Sequence, residues 1–142
     1  ARIMHEESFI ICANPQYLQQ HHQPKNMAEL ADLRWITMSP NNESPVQRFR
    51  HNEKTIELTP TQFYRCNSPL MVQQMVRQGL GLGSLLPSTI QAEMAAGEIV
   101  QVMLTLRSEP LIFSLIYPSR KQVPQRTRVV IDYLLNAKMF AG

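Results

Sequence analysis

Long apolar runs are missing from this 142-residue chain. The longest, Leu111 to Tyr117, is strand-sized and far short of the roughly 20 residues a membrane-spanning helix needs. No membrane partner is expected. Cysteine is scarce, with only Cys12 and Cys66. Neither belongs to a CxxC pair, and His5, His21, His22 and His51 do not fall at metal-ligand spacings, so neither a metal nor a cofactor is expected. Both cysteines sit in strand-like apolar runs, which reads as two reduced core thiols in a cytosolic protein; a disulfide or a reactive thiol is the alternative. No serine lies in a GxSxG elbow, paired carboxylates are lacking, and Glu53 and Glu57 merely flank a hairpin. An enzyme is not expected. The N-terminus, Ala1-Arg2-Ile3-Met4-His5-Glu6-Glu7, has no apolar signal core. Beginning without Met, with a strand pattern from Ser8, it is expected to be cut from a longer protein.

What is present is the make-up of a folded domain: 44% hydrophobic and 18% charged residues. A chain of this length buries roughly two-thirds of its unfolded surface, enough for one core. The net charge of +3 and a pI near 9.1 are mildly basic. Basic residues gather at Arg48, Arg50, Lys54 and Arg65, and again at Arg120, Lys121, Arg126 and Arg128. Neither group is interleaved with aromatics or preceded by a helix-turn-helix signature. Both read as solvated faces rather than a nucleic-acid surface.

Along the chain, Phe9 to Ala13 is an unbroken apolar run suited to a strand buried on both faces. Asn14-Pro15 supplies an N-cap and a first helical residue, predicting a helix to about His22. Asn26 opens a second, with Glu29 three residues on in a capping-box pattern, through Leu33. Strands are expected over Arg34–Met38, Gln47–Arg50, Thr55–Leu58 and Gln62–Cys66, with a hairpin turn at His51-Asn52-Glu53-Lys54. Ser68-Pro69 starts the best-defined helix, ending before Gly79, with Met71, Val72, Met75 and Val76 as its buried stripe. A strand over Gly81–Leu86, a helix from Pro87 to Gly97, a strand over Glu98–Leu104, a double-sided strand over Leu111–Tyr117 and a last helix over Pro124–Phe140 complete the pattern. Interleaved strands and helices make the class α/β.

Gly79-Leu80-Gly81-Leu82-Gly83 has the look of a nucleotide loop, but its order is reversed: a helix ends there and a strand follows. A dinucleotide loop runs from strand into helix. The glycines read as a left-handed cap and a close backbone approach. A ligand signal comes instead from the capped helix starts at Asn14 and Asn67-Ser68 and from the loop Ser39–Asn42, each following a strand. Such ends form the usual crevice of open α/β sheets and favour an anion.

Several segments, in order, resemble one family. Asn14-Pro15-Gln16-Tyr17-Leu18 resembles "SPxYL", with Asn14 in place of the commoner Ser. Pro24 with Met27 to Leu33 resembles "P…xxDL", and Val76 to Gly83 with Leu86-Pro87 resembles "VxxGxGIxxLP". Gly97-Glu98-Ile99-Val100 resembles "GxLV". Tyr117-Pro118-Ser119-Arg120, Pro124 and Val130 to Leu134 resemble "YPxxRxxPxxVxxFxDFL". Together they cover nearly the whole chain and look like the effector-binding domain of LysR-type transcription regulators.

The resemblance implies a two-lobed clamp, of which this chain supplies a periplasmic-binding-protein type II-like lobe with a mixed, mostly parallel central sheet flanked by helices. Residues 7–118 would form the second lobe with both antiparallel crossover strands, Glu7–Ala13 and Leu111–Pro118. Residues 119–142 would return to the first lobe, whose main part is absent together with the DNA-binding domain. A small anionic or polar effector would bind between the lobes. Met38, Ser39, Asn42, Cys66, Asn67 and Ser68 are the ligand-contacting residues expected from this lobe. Self-association through Val130, Tyr133, Leu134 and Ala137, as a dimer and as a tetramer in the parent, would follow. DNA would be bound only through the absent helix-turn-helix, and the protein would be cytoplasmic. The alternatives are a lobe of an exported solute-binding protein of the same fold, or a basic nucleic-acid-binding module.

Overall fold

Strand β2 (Ile10–Ala13) is fully buried. The computed structural model describes residues 2–39 and 43–115. Alternate β2 side chains feed two separate apolar clusters. Ile11 and Ala13 join Tyr17, Leu18, Leu30, Trp35, Phe49 and Leu82. Ile10 and Cys12 join Ile36, Val72, Val76, Leu85, Ile90 and Ile99. The period-two geometry of a strand, applied to a run with no polar residue, produces this two-sided core.

The chain divides into two units, one over Ser8–Glu109 and the other over 1–7 with 110–142. In the larger unit, helix α1 (Pro15–His21) follows β2, capped by Asn14, whose Oδ1 accepts from the Gln16 N–H at 2.8 Å. Helix α2 (Met27–Asp32) is capped by Asn26, whose side chain accepts from the Glu29 N–H. The Glu29 carboxylate reaches back one residue further than a capping box requires, accepting from the Lys25 N–H at 2.9 Å. Strand β3 (Arg34–Thr37) follows, then β4 (Gln47–His51), β5 (Lys54–Leu58) and β6 (Gln62–Arg65). Asn52 and Glu53 both have positive φ, 51° and 66°, the geometry that a two-residue hairpin between β4 and β5 demands. Helix α3 (Pro69–Arg77) leads to β7 (Gly83–Leu85), and a 3-10 turn over Pro87–Thr89 with helix α4 (Gln91–Ala95) leads to β8 (Val100–Gln101).

The sheet is mixed. β3 and β6 pair in parallel, and Leu82 bridges β3 in parallel, its N–H donating to the Arg34 carbonyl at 2.8 Å. β7 and β8 lie antiparallel on either side of β2, so they run parallel to each other with α4 in the crossover that passes over β2. Arg107 bridges both Ile10 and Arg50, tying β4 alongside.

In the smaller unit, β1 (Arg2–Glu7) and β9 (Leu111–Leu115) form an antiparallel ladder with Glu7 opposite Leu111, and the register shifts between Ile3 and His5. The ladder partner of β9 is therefore Arg2–Glu7 and not the segment from Glu7 to Ala13. β1 has only Ile3-Met4 as an apolar pair among charged and polar residues, which gives no strand-like alternation. Leu111 and Ile112 are exposed, so the start of β9 is not double-sided. The expected helix over Pro124–Phe140 and its stripe lie outside the described residues.

Three local readings change. Met71 is 52% exposed, because it falls in the first turn of α3; Val72 and Val76 carry the buried face and Met75 is half-buried. The helix from Pro87 is broken at Ile90, whose fully buried side chain sits at φ −127° between the 3-10 turn and α4. The expected strand over Glu98–Leu104 shrinks to Val100–Gln101, since only these reach along β2 before Met103, at φ 52°, turns the chain.

Candidate functional site

Strand β3 delivers Thr37, Met38 and Ser39 to one end of the sheet, beside the start of α3. There the larger unit holds a cavity of about 600 Å³. Its floor is core: Ile36, Phe49, Val72 and Leu85 are all buried. Val46, Leu70 and Leu86 continue the apolar wall, and Leu70 is 63% exposed at the mouth.

Polar groups in the wall are held by the protein itself. The Thr37 hydroxyl donates to the Tyr64 carbonyl at 3.4 Å and lies 3.2 Å from the Ser39 hydroxyl. The Ser84 hydroxyl donates to Gln47 Oε1 at 3.3 Å, and that of Thr89 to the Leu86 carbonyl at 2.7 Å. Ser108 Oγ accepts from the Phe9 N–H and donates to the Glu109 carbonyl. Arg65 clamps the rim: its guanidinium donates to the Ser39 carbonyl and hydroxyl and to the Glu43 carbonyl, at 3.2, 3.0 and 2.8 Å.

Of the residues expected at a ligand, Met38 and Ser39 line this cavity. Asn42 lies outside the described residues. Cys66, Asn67 and Ser68 are not in its wall. Ser68 caps α3 through the Met71 N–H, Asn67 is exposed, and the Cys66 thiol points at Met75 Sδ, 3.2 Å away. Sequence reasoning missed Val46, Phe49, Leu70 and Ser84, which come from three separate segments: β4 with the residue before it, α3 and β7.

Both cysteines are free. Burial pushes the Cys12 thiol from its ordinary 9.0 up to about 12, and burial also raises Cys66. The native state thus holds the Cys12 proton more tightly than the unfolded chain does. The stability this gives is complete below about pH 9 and is lost as pH climbs toward about 12. We expect iodoacetamide at mildly alkaline pH to alkylate half-buried Cys66 and spare Cys12 until the chain unfolds. Peptide mapping that finds equal modification of both would refute this assignment. Among the described residues, no group of three or more His, Cys, Asp or Glu side chains is placed to hold a metal ion. No helix among them is long and apolar enough to cross a membrane.

A family model of the LysR substrate binding domain matches residues 1–138. The chain belongs to that family. It is 33% identical over 128 residues to a probable HTH-type transcriptional regulator, LtrA, of Klebsiella pneumoniae, covering 88% of this chain and 41% of that protein. It is 31% identical over 114 residues to the RuBisCO operon transcriptional regulator of Acidithiobacillus ferrooxidans, covering 78% of this chain and 35% of that one. The chain therefore spans well under half the length of these curated relatives. Its fold is that of LysR regulatory domains, periplasmic-binding-protein type II-like. The full-length Vibrio cholerae virulence activator AphB superposes with a TM-score of 0.83 at 22% identity, over 96% of this chain and 46% of AphB. The regulatory domain of CrgA from Neisseria meningitidis gives 0.74 at 22% identity, over 95% and 67%. In this LysR-family domain the glycine run takes the structural roles expected of it: Gly79 has φ 81° at the end of α3, and Gly81 packs against the Arg34 carbonyl.

Proposed function

We propose that this LysR-family chain is the effector-sensing part of a transcription regulator and has no catalytic activity of its own. The cavity at the end of β3 and the start of α3 carries the reading, since strand ends of open α/β sheets are where such folds take small molecules. Residues 7–118 act as the second lobe, and 119–142 return to the first lobe. The division at Glu7/Ser8 agrees with the start of that lobe, whereas the larger unit ends at Glu109, nine residues before the end proposed here. The parent's DNA-binding domain and the rest of its first lobe lie outside these 142 residues, in keeping with relatives named as helix-turn-helix regulators and more than twice as long. An effector bound by Met38, Ser39 and the loop at Asn42 biases the lobes by binding one arrangement more tightly. Ser68 caps the start of α3 beside it, and the Cys66 thiol lies against Met75 of the same helix. The parent assembles as an oligomer that presents its DNA-binding heads to a promoter.

Two observations favour this over a basic nucleic-acid module. The relatives are regulators, and the basic residues are engaged locally: Arg48 with Glu57 at 3.3 Å, Arg50 with Glu109 at 3.5 Å, Arg65 with the Ser39 rim.

The test is a promoter reporter driven by the full-length parent. Val46→Trp fills the cavity from a half-buried position. It should make transcription insensitive to growth conditions that switch the wild type, at least about tenfold less responsive, while promoter occupancy by chromatin immunoprecipitation stays within about twofold. A reporter that still switches normally would end this reading.

A further inference from the structure

The cavity's chemistry says what it would hold. Its floor is built from the buried side chains of Ile36, Phe49, Val72 and Leu85. Every wall hydroxyl described above is already directed at a protein acceptor, and the Gln73 amide donates to Glu93 at 3.3 Å. Among the described residues the one cation in the wall, Arg48, is paired with Glu57 on the exposed face of the hairpin. At the start of α3, Pro69 has no N–H, the Met71 N–H goes to the Ser68 hydroxyl, and the Val72 N–H goes to the Ser68 carbonyl, so Leu70 supplies the one N–H of that turn without such a partner. An anion entering here would shed its water and meet no unpaired cation among the described wall residues, which costs several kcal/mol. An apolar body would lose nothing comparable and would gain from each Å² removed from water.

We propose that this cavity takes an uncharged, mainly apolar small molecule, an aromatic or branched hydrocarbon body with one or two hydrogen-bonding groups at most. This rests on the effector reading above and departs from the anionic ligand that helix starts alone suggest. A volume of about 600 Å³ falls within the range of small-molecule sites and admits a multi-ring molecule. Leu70, exposed at the mouth, is the side chain such a ligand would pass and cover.

A matched probe pair tests the class. N-phenylnaphthylamine is neutral, and anilinonaphthalene sulfonate is the same skeleton with a negative charge. Titrated into this chain by fluorescence, the neutral probe should saturate at one per chain and bind at least about tenfold more tightly than the sulfonate. Leu70→Glu, at an exposed position, and Val46→Trp should each weaken the neutral probe about tenfold or more, with unchanged circular dichroism and melting for Leu70→Glu. If the sulfonate binds as tightly as the neutral probe and both variants abolish it, the ligand class falls while the site stands. Failure of the neutral probe to saturate, or binding that neither variant moves, overturns the inference outright. The reporter experiment decides the effector reading separately.

Discussion

Trp35→Ala should lower the stability of this chain by about 3–5 kcal/mol, the range for emptying a large aromatic site. Trp35 is wholly buried, tilted against Phe49 with ring centroids 6.2 Å apart, and its indole N–H donates to the Leu30 carbonyl at 2.9 Å. That carbonyl belongs to the last turn of α2, so the bond fastens the helix to β3 as well as satisfying a buried acceptor. For a unit of about 100 residues, each kcal/mol lowers Tm by roughly 4–8 °C, so the loss is plain in a thermal melt. Trp35→Phe separates the two contributions. It keeps most of the packing but orphans the Leu30 carbonyl, and should cost about 1–3 kcal/mol. Equal melting temperatures for wild type and Trp35→Ala would mean that this cluster is not the core.

Gly81→Ala should destabilise by about 3 kcal/mol or more, beyond the usual range for an added methyl group. A Cβ at Gly81 would stand 2.5 Å from the Arg34 carbonyl oxygen, and that oxygen accepts the Leu82 N–H in the bridge between β3 and the approach to β7. Backbone must move, and a ladder contact opens. Gly97→Ala is the control: nothing lies within 4 Å of its added Cβ, but its φ of 74° is left-handed, so it should cost only about 1–2 kcal/mol. Urea titrations of the two variants distinguish steric collision from backbone conformation. If Gly81→Ala is no worse than Gly97→Ala, the close approach is not what fixes glycine there.

The caps at Asn14, Asn26 and Ser68 were legible because a cap is decided by residues within one helical turn. The two-sided burial of Ile10–Ala13 was legible because an apolar run without polar alternation has nowhere else to go. β1 was not. Its ladder partner stands at Leu111–Leu115, more than a hundred residues away, and its charged sequence has no period-two apolar face to announce it. The exposure of Met71 escaped notice because spacing along a helix gives a face but not where the sheet beneath it ends. The cavity was half legible. Met38 and Ser39 follow from the rule that ligands gather at strand ends, but Val46, Leu70 and Ser84 meet only through tertiary structure. The capped start of α3 suggests an anion, but which of its N–H groups Ser68 engages is fixed only by tertiary geometry.

β2 has one further consequence. As a single four-residue wall between two packed layers, it has no side on which it can yield alone. A shift that relieves crowding in the Ile11 and Ala13 layer displaces Ile10 and Cys12 by the same amount into the opposite one. Crowding at Phe49, in the first layer, or at Ile36 and Val72, in the second, is thus felt in both.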